Sequence, residues 1–176
     1  MCNGTSLEYS AMAVIFYNGR ILVTWENIFG NVVLSLPKGH IERGETAVDA
    51  AIRECFEETN VKVMPTEIIT ELSPFEIKFT TPSGKDVTKV ITPILFETKY
   101  KGNPQPLENR ILKVEYMHVN DFLNNCSYDN VKQTVTSALN FFTGVSAGGA
   151  GGAVSTSIHR SKETSSVSAS PSAVEI

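Results

Sequence analysis

Between residues 11 and 36 the apolar side chains come in short runs, each closed by a turn signal. AMAVIFYNGRILVTWEN (11–27) holds two such runs around Asn18-Gly19. Asn-Gly between β-branched and aromatic residues is the strongest short hairpin signal, because both turn positions require positive φ. VVLSL (32–36) reads as a further strand leading into Pro37. The period then changes. From residue 45 to 59 the apolar positions Val48, Ala51, Ile52, Cys55 and Phe56 recur three and four apart, which predicts an amphipathic helix. TEIITELSPFEIKFTT, a PSGKD turn and VTKVITPILFETKY predict three more strands, with Pro93 at an edge or bulge because it cannot donate to a ladder. VEYMHV predicts another strand and VNDFLNN a short helical turn. SYDNVKQTVTSALNFFTG predicts a closing helix, capped by Ser127 or Asp129 and stopped by Gly144. Strands broken by one central and one terminal helix imply an α/β or α+β layer fold.

Composition sets the domain limits. After Gly144 the chain is rich in Gly, Ala and Ser and has no aromatic residue. Such a segment buries too little surface to offset its ordering entropy, so residues 144–176 are expected to form a disordered tail. Residues 1–7 are then an N-terminal extension and residues 8–143 one domain. The whole chain of 176 residues is 41% hydrophobic with a net charge of −4. This balance offers no broad nucleic-acid or anionic-membrane footprint, yet it allows a small anionic ligand if a cation mediates. Cys2, Cys55 and Cys126 are far apart, without a CxxC pair, and fit a reducing cytoplasmic setting better than a disulfide framework. The first ten residues lack the features of a secretory signal. No apolar run approaches the ~20 residues of a membrane helix.

The chemistry concentrates in LPKGHIERGETAVDAAIRECFEETNV (36–61). At ~100° per helical residue, Glu57 and Glu58 fall within about 60° of Glu54, so three carboxylates share one face. One and two turns earlier that face carries only Ala50 and Ala47, which leaves room for something bulky to approach. The carboxylates repel one another, and nothing in the intervening sequence supplies three compensating bases. Arg53 stands to one side, within i,i+4 reach of Glu57. A hard divalent cation would relieve the repulsion, since Mg²⁺ favours carboxylate oxygens and shares its shell with phosphates. A plain solvated acidic face is the competing expectation. The alanines, the preceding Gly-containing loop and the strict spacing weigh against it.

That spacing resembles the Nudix box. Gly39 is followed after five residues by Glu45, and after seven more by Arg53-Glu54, with Cys55, Glu57-Glu58 and Val61 in register. Asn60 stands where the family usually has Gly, at a helix-end position whose left-handed conformation Asn tolerates best after Gly. The resemblance implies an α/β/α sandwich around a mixed β-sheet. It also implies a pyrophosphohydrolase that cleaves a nucleoside diphosphate linked to another moiety, with Mg²⁺ (or Mn²⁺) as cofactor. By the same resemblance Glu57 and Glu58 are metal ligands, and Glu54 is a further ligand or orients the water. The Lys38 carbonyl could complete the metal shell, and Glu45 pairs with Arg53 as a structural element beside Gly39. Members of the family often carry a further base on a distant loop. Glu108 is the best candidate, with Glu97 and Glu115 as alternatives.

The LPKGH run is similar to that of diadenosine tetraphosphate hydrolases and, less regularly, to diphosphoinositol polyphosphate and RNA 5′-pyrophosphate hydrolases. This implies a dinucleoside polyphosphate substrate, with Lys38 and His40 facing phosphates. Trp25 and Phe29 flank a polar loop and are the aromatic candidates for base stacking, ahead of Phe75, Phe79 and Tyr100. The remaining basic residues, Arg110 and Lys113 among them, are scattered and favour a nucleotide over an inositol polyphosphate. Two other classes stay open: a non-catalytic Nudix module that senses a nucleotide, and an interaction protein that works through its Ser-rich tail. Retention of every box carboxylate favours the enzyme.

Overall fold

A computed structural model describes residues 5–28 and 30–144. Cys2, Phe29 and the expected tail beyond Gly144 lie outside the described residues. The elements run β1 (Ser6–Tyr17), β2 (Arg20–Ile28), β3 (Asn31–Ser35), β4 (Lys38–His40) and α1 (Ala47–Thr59), then a 3-10 turn (Pro65–Glu67). They continue with β5 (Ile68–Glu71), β6 (Phe75–Thr80), β7 (Asp86–Glu97), β8 (Ile111–His118), α2 (Val119–Asn125) and α3 (Asp129–Thr143). β1 begins within the expected N-terminal extension and takes in Ser6 and Leu7.

The Asn18-Gly19 hairpin forms as expected, with φ of 47° and 71° at its two turn residues. β1 and β2 pair only beside that turn, at Phe16↔Ile21 and Tyr17↔Arg20, and then part. The gap is filled by the chain that follows. β3 pairs antiparallel with β2, the chain crosses at Leu36-Pro37, and β4 pairs antiparallel with β1. β7 runs parallel to β1 along most of its length, while β5 and β6 pair with β7 and β8 with β2. The result is one mixed sheet of eight strands among the described residues.

Strand alternation sends β1 into two cores. Ala11, Ala13 and Ile15 pack with Ala50, Ala51 and Cys55 of α1. Met12, Val14 and Phe16 pack with Phe122 of α2 and with Val131, Val135 and Ala138 of α3. The period of two therefore builds an α/β/α sandwich directly.

Pro93 is not on an edge strand. It lies in β7, opposite Met12 of β1, where β7's other flank changes partner from β6 to β5. Its carbonyl accepts from Leu72 N–H on that flank. Because N and C=O of one strand residue face the same side, the absent N–H falls at the break in pairing. The cap of α3 also differs: its N-cap is Tyr128, without a side-chain bond, so neither Ser127 nor Asp129 fills that place. Gly144 ends the helix at φ 69°, as expected.

Candidate functional site

The site begins with the way α1 starts. Thr46 is its N-cap, accepting from Asp49 N–H while the Asp49 carboxylate accepts from Thr46 N–H. This capping box places the first turn at Ala47, two residues later than expected, and leaves Glu45 outside the helix. At the other end Asn60 adopts the left-handed conformation (φ 59°) and its Nδ2 donates to the Asn103 carbonyl at 3.1 Å.

Ala50 and Ala51 are fully buried against Ala11 and Ala13 of β1. Ala47 packs partly buried against the same core, which corrects the expectation that Ala50 and Ala47 leave room for a ligand. They let the helix approach the sheet, so Glu54 (7% exposed) and Glu58 (0%) are themselves buried while Glu57 remains open. A Cβ added to Gly39 on β4 would stand 1.9–2.1 Å from the Glu54 carboxylate. Gly39 is therefore required by close approach, since its backbone needs no positive φ.

The register of β4 turns the backbone of Lys38 and His40 away from β1 toward α1. Lys38 N–H donates to Glu58 at 3.3 Å and the His40 carbonyl accepts from Arg53 at 2.9 Å. Arg53 also gives two N–H groups to Glu45, at 2.9 Å each, and one each to Glu54 (2.8 Å) and Glu57 (2.9 Å). All five of its donors are thus used. These bonds hold the Glu45 carboxyl below its ordinary 4.5, the Arg53 hydrogen bond outweighing the upward effect of burial. The Glu45–Arg53 pairing expected from the motif is present and fastens the loop to the helix.

The compensating cations that local sequence lacked arrive from elsewhere in the fold. Arg110, in the turn before β8, donates to Glu58, to Glu26 at 3.1 Å and to Glu108 at 2.8 Å. Lys38 Nζ donates to both Glu26 oxygens at 2.8 and 3.0 Å, and Thr24 Oγ1 donates to the same carboxylate at 3.0 Å. Burial pushes the Glu58 carboxyl up to about 7, against the pull of Lys38 and Arg110. Burial alone would make Arg110 less basic, but Glu58, Glu26 and Glu108 raise it overall.

Sequence reasoning missed Glu26 and Arg110. The signal for Glu26 was an acid on the strand face shared by Leu22 and Thr24, a position otherwise suited to an apolar residue. Arg110 had no local signal and was counted among scattered bases. Glu108 is brought beside Glu58 through their shared Arg110, and Leu107 N–H donates to the Glu58 carbonyl at 3.3 Å. Among the described residues, the structure does not gather the remaining candidate side chains at the box carboxylates. His40 reaches Glu8 at 3.0 Å, and Trp25 packs on the α2/α3 core while donating to Glu115 at 3.0 Å. Glu115 is further bound by Lys113, and Glu97 ends β7 opposite Phe16. A cavity lined by Tyr17, Arg20, Lys101 and Tyr116 lies apart from the box carboxylates.

Fold and site together define an α/β/α sandwich whose central helix presents carboxylates to the edge of a short strand. A family model described as the NUDIX domain matches residues 7–137, and the chain belongs to that family. Over 56 residues it is 41% identical to the phosphatase NudJ of Escherichia coli K12, a stretch covering 32% of this chain and only 37% of that relative. An Ap4A hydrolase of C. elegans, solved as a binary complex, superposes with a TM-score of 0.59 at 18% identity, covering 78% of this chain and 99% of the other. A bifunctional NMN adenylyltransferase/ADP ribose pyrophosphatase from Francisella tularensis, complexed with AMP and a Mn ion, gives 0.61 at 19% identity, covering 78% and 42%. Likeness at these identities concerns the fold.

Proposed function

We propose that this chain is a divalent-cation-dependent pyrophosphohydrolase acting on a nucleoside diphosphate linked to another moiety. The observation that carries this reading is the meeting of Glu54 and Glu58 of α1 with the outward backbone edge of β4, with Glu57 tied to the same edge through the saturated Arg53. The donor set fits a hard cation: three carboxylates and the Lys38 carbonyl on the same edge, with Cys55 buried away in the core. Among the described residues no three acidic, His or Cys groups are close enough to chelate as they stand, and Arg53 and Arg110 bind Glu54 and Glu58 there. Mg²⁺ or Mn²⁺ held there would polarise the pyrophosphate and lower the pKa of a bound water.

The chain's own residues supply position and proton transfer. Gly39 lets the Glu54 carboxylate lie directly on β4, one Arg53 nitrogen binds both Glu54 and Glu57, and Glu108, which shares Arg110 with Glu58, is the candidate to take a water proton. For the substrate, the LPKGH run supports a dinucleoside polyphosphate such as diadenosine tetraphosphate. Lys38 enters that reading with its ammonium already bound to Glu26, and His40 with its ring on Glu8.

The test is turnover with Mg²⁺ of diadenosine tetraphosphate, ADP-ribose, a diphosphoinositol polyphosphate and triphosphorylated RNA, with Glu57→Gln as control. ATP plus AMP from the first, lost in the variant, supports the full reading. Cleavage of another member keeps the reaction and replaces the substrate. Nucleotide binding without turnover would replace the enzyme with a sensor.

A further inference from the structure

Arg53 and Arg110 bind different carboxylates of the same site and are used in opposite ways. Arg53 has no donor left for a ligand. Arg110 gives one N–H each to Glu26, Glu58 and Glu108, so two of its five have no acceptor among the described residues. Its side chain is 41% exposed, while the Glu26 and Glu58 side chains it covers are 1% and 0% exposed. The guanidinium is therefore a plate over two buried carboxylates, with one edge turned to solvent.

Two demands meet at Glu58. Its carboxylate is a proposed cation ligand, and Arg110 Nη2 already occupies one of its oxygens. A divalent cation and a guanidinium bound at the same oxygen repel each other at close range. Arg110 need not leave the site when that bond breaks, because Nη1 stays on Glu26, which Thr24 and Lys38 hold independently. Released from Glu58, the planar fork has the geometry to take two oxygens of a phosphate. Lys38 is poorly placed for that task, since both Glu26 oxygens hold its ammonium.

We infer that Arg110 is a two-way binding residue: it neutralises Glu58 while the cation is absent and turns to the ligand's phosphate when the cation is present. The inference rests on the pyrophosphohydrolase reading above and names the phosphate-binding side chain of that site.

The experiment titrates the purified full chain with Mn²⁺, then with imidodiphosphate at saturating Mn²⁺, by calorimetry. Arg110→Gln is expected to bind Mn²⁺ about tenfold more tightly, the order of one charge-assisted hydrogen bond removed from competition. Its imidodiphosphate affinity is expected to fall about tenfold. General damage to the fold would weaken both, so the opposite signs identify the role. Arg110→Lys covers the case of a poorly folding Gln variant: its ammonium cannot bridge as the fork does, so both shifts should keep their direction and shrink. Unchanged or weaker Mn²⁺ binding, or unchanged imidodiphosphate binding, overturns the inference. Neither titration needs turnover. An inactive wild type that still shows both shifts defeats only the hydrolase reading, and an active wild type with neither shift defeats only the Arg110 inference.

Discussion

At the scale of single residues, Gly39 and Glu45 show how little freedom the site leaves. A methyl at position 39 would displace the Glu54 carboxylate, which is the movable end of a side chain. Gly39→Ala is therefore expected to fold with a loss of about 1–3 kcal/mol in denaturant titration, while kcat falls by about a hundredfold. A much smaller further loss of kcat in a Glu54→Gln background would show that the effect runs through that carboxylate, and an equal one that it does not. Glu45 makes a pH prediction. Its folded pKa lies below the unfolded 4.5, so its stabilising effect is present above 4.5 and disappears as pH falls through the lower folded value. Glu45→Gln should flatten the acid limb of a melting-temperature profile below about pH 4.5, and an unchanged limb would show that the Arg53 pair contributes nothing there.

Elements decide the placement of these residues. α1 is set by Thr46-Asp49 at one end and Asn60 at the other, and all three were open to local reasoning. Asn60 does more than tolerate its conformation, because its side chain also ties the helix end to the loop at Asn103. Asn60→Gly gains backbone freedom suited to positive φ but loses that bond, so its stability should stay within about 0.5 kcal/mol of wild type. Asn60→Ala lacks both and should cost about 1 kcal/mol. Chemical denaturation of the pair separates the two contributions. The 26-residue stretch around α1 announced its carboxylates by their spacing, and its period rightly buried Ala51 and Cys55. Phe56, however, is exposed, and the buried face extends instead to Ala50, Glu54 and Glu58. That depended on Ala11 and Ala13 of β1, whose small size admits the helix closely enough to cover Glu54 and Glu58.

For the whole molecule, the site depends on the packing distance between α1 and β1. Ala51→Leu overfills a fully buried position and should cost about 1–3 kcal/mol. It should also weaken Mn²⁺ binding by lifting the carboxylates off β4, a coupling absent from an equally destabilising change such as Val135→Ala on the opposite face. Calorimetry on both variants tests this. The family match ends at residue 137 and α3 at Thr143, so removing residues 145–176 is expected to leave turnover unchanged. Lost turnover would move part of the function into that segment.

By itself the sequence determined what nearest neighbours in the chain can determine. The Asn18-Gly19 turn and the period of α1 rest on interactions within a few residues, and the box from Gly39 to Val61 was legible through its fixed spacing. Tertiary structure alone decided how the acids beyond the reach of Arg53 are neutralised. Glu26, Lys38, Glu58 and Arg110 are separated by up to 84 positions and come together because β1 and β2 part after their hairpin, β4 enters the gap, and the turn before β8 closes over it. Burying a carboxylate is tolerable only where a partner meets it, and that partner was chosen by strand register rather than by sequence proximity. Local repulsion among the α1 acids was legible in the chain. Arg53 was legible with it, while the pairing of Lys38 and Arg110 with Glu26 and Glu58 became visible only once the sheet had formed.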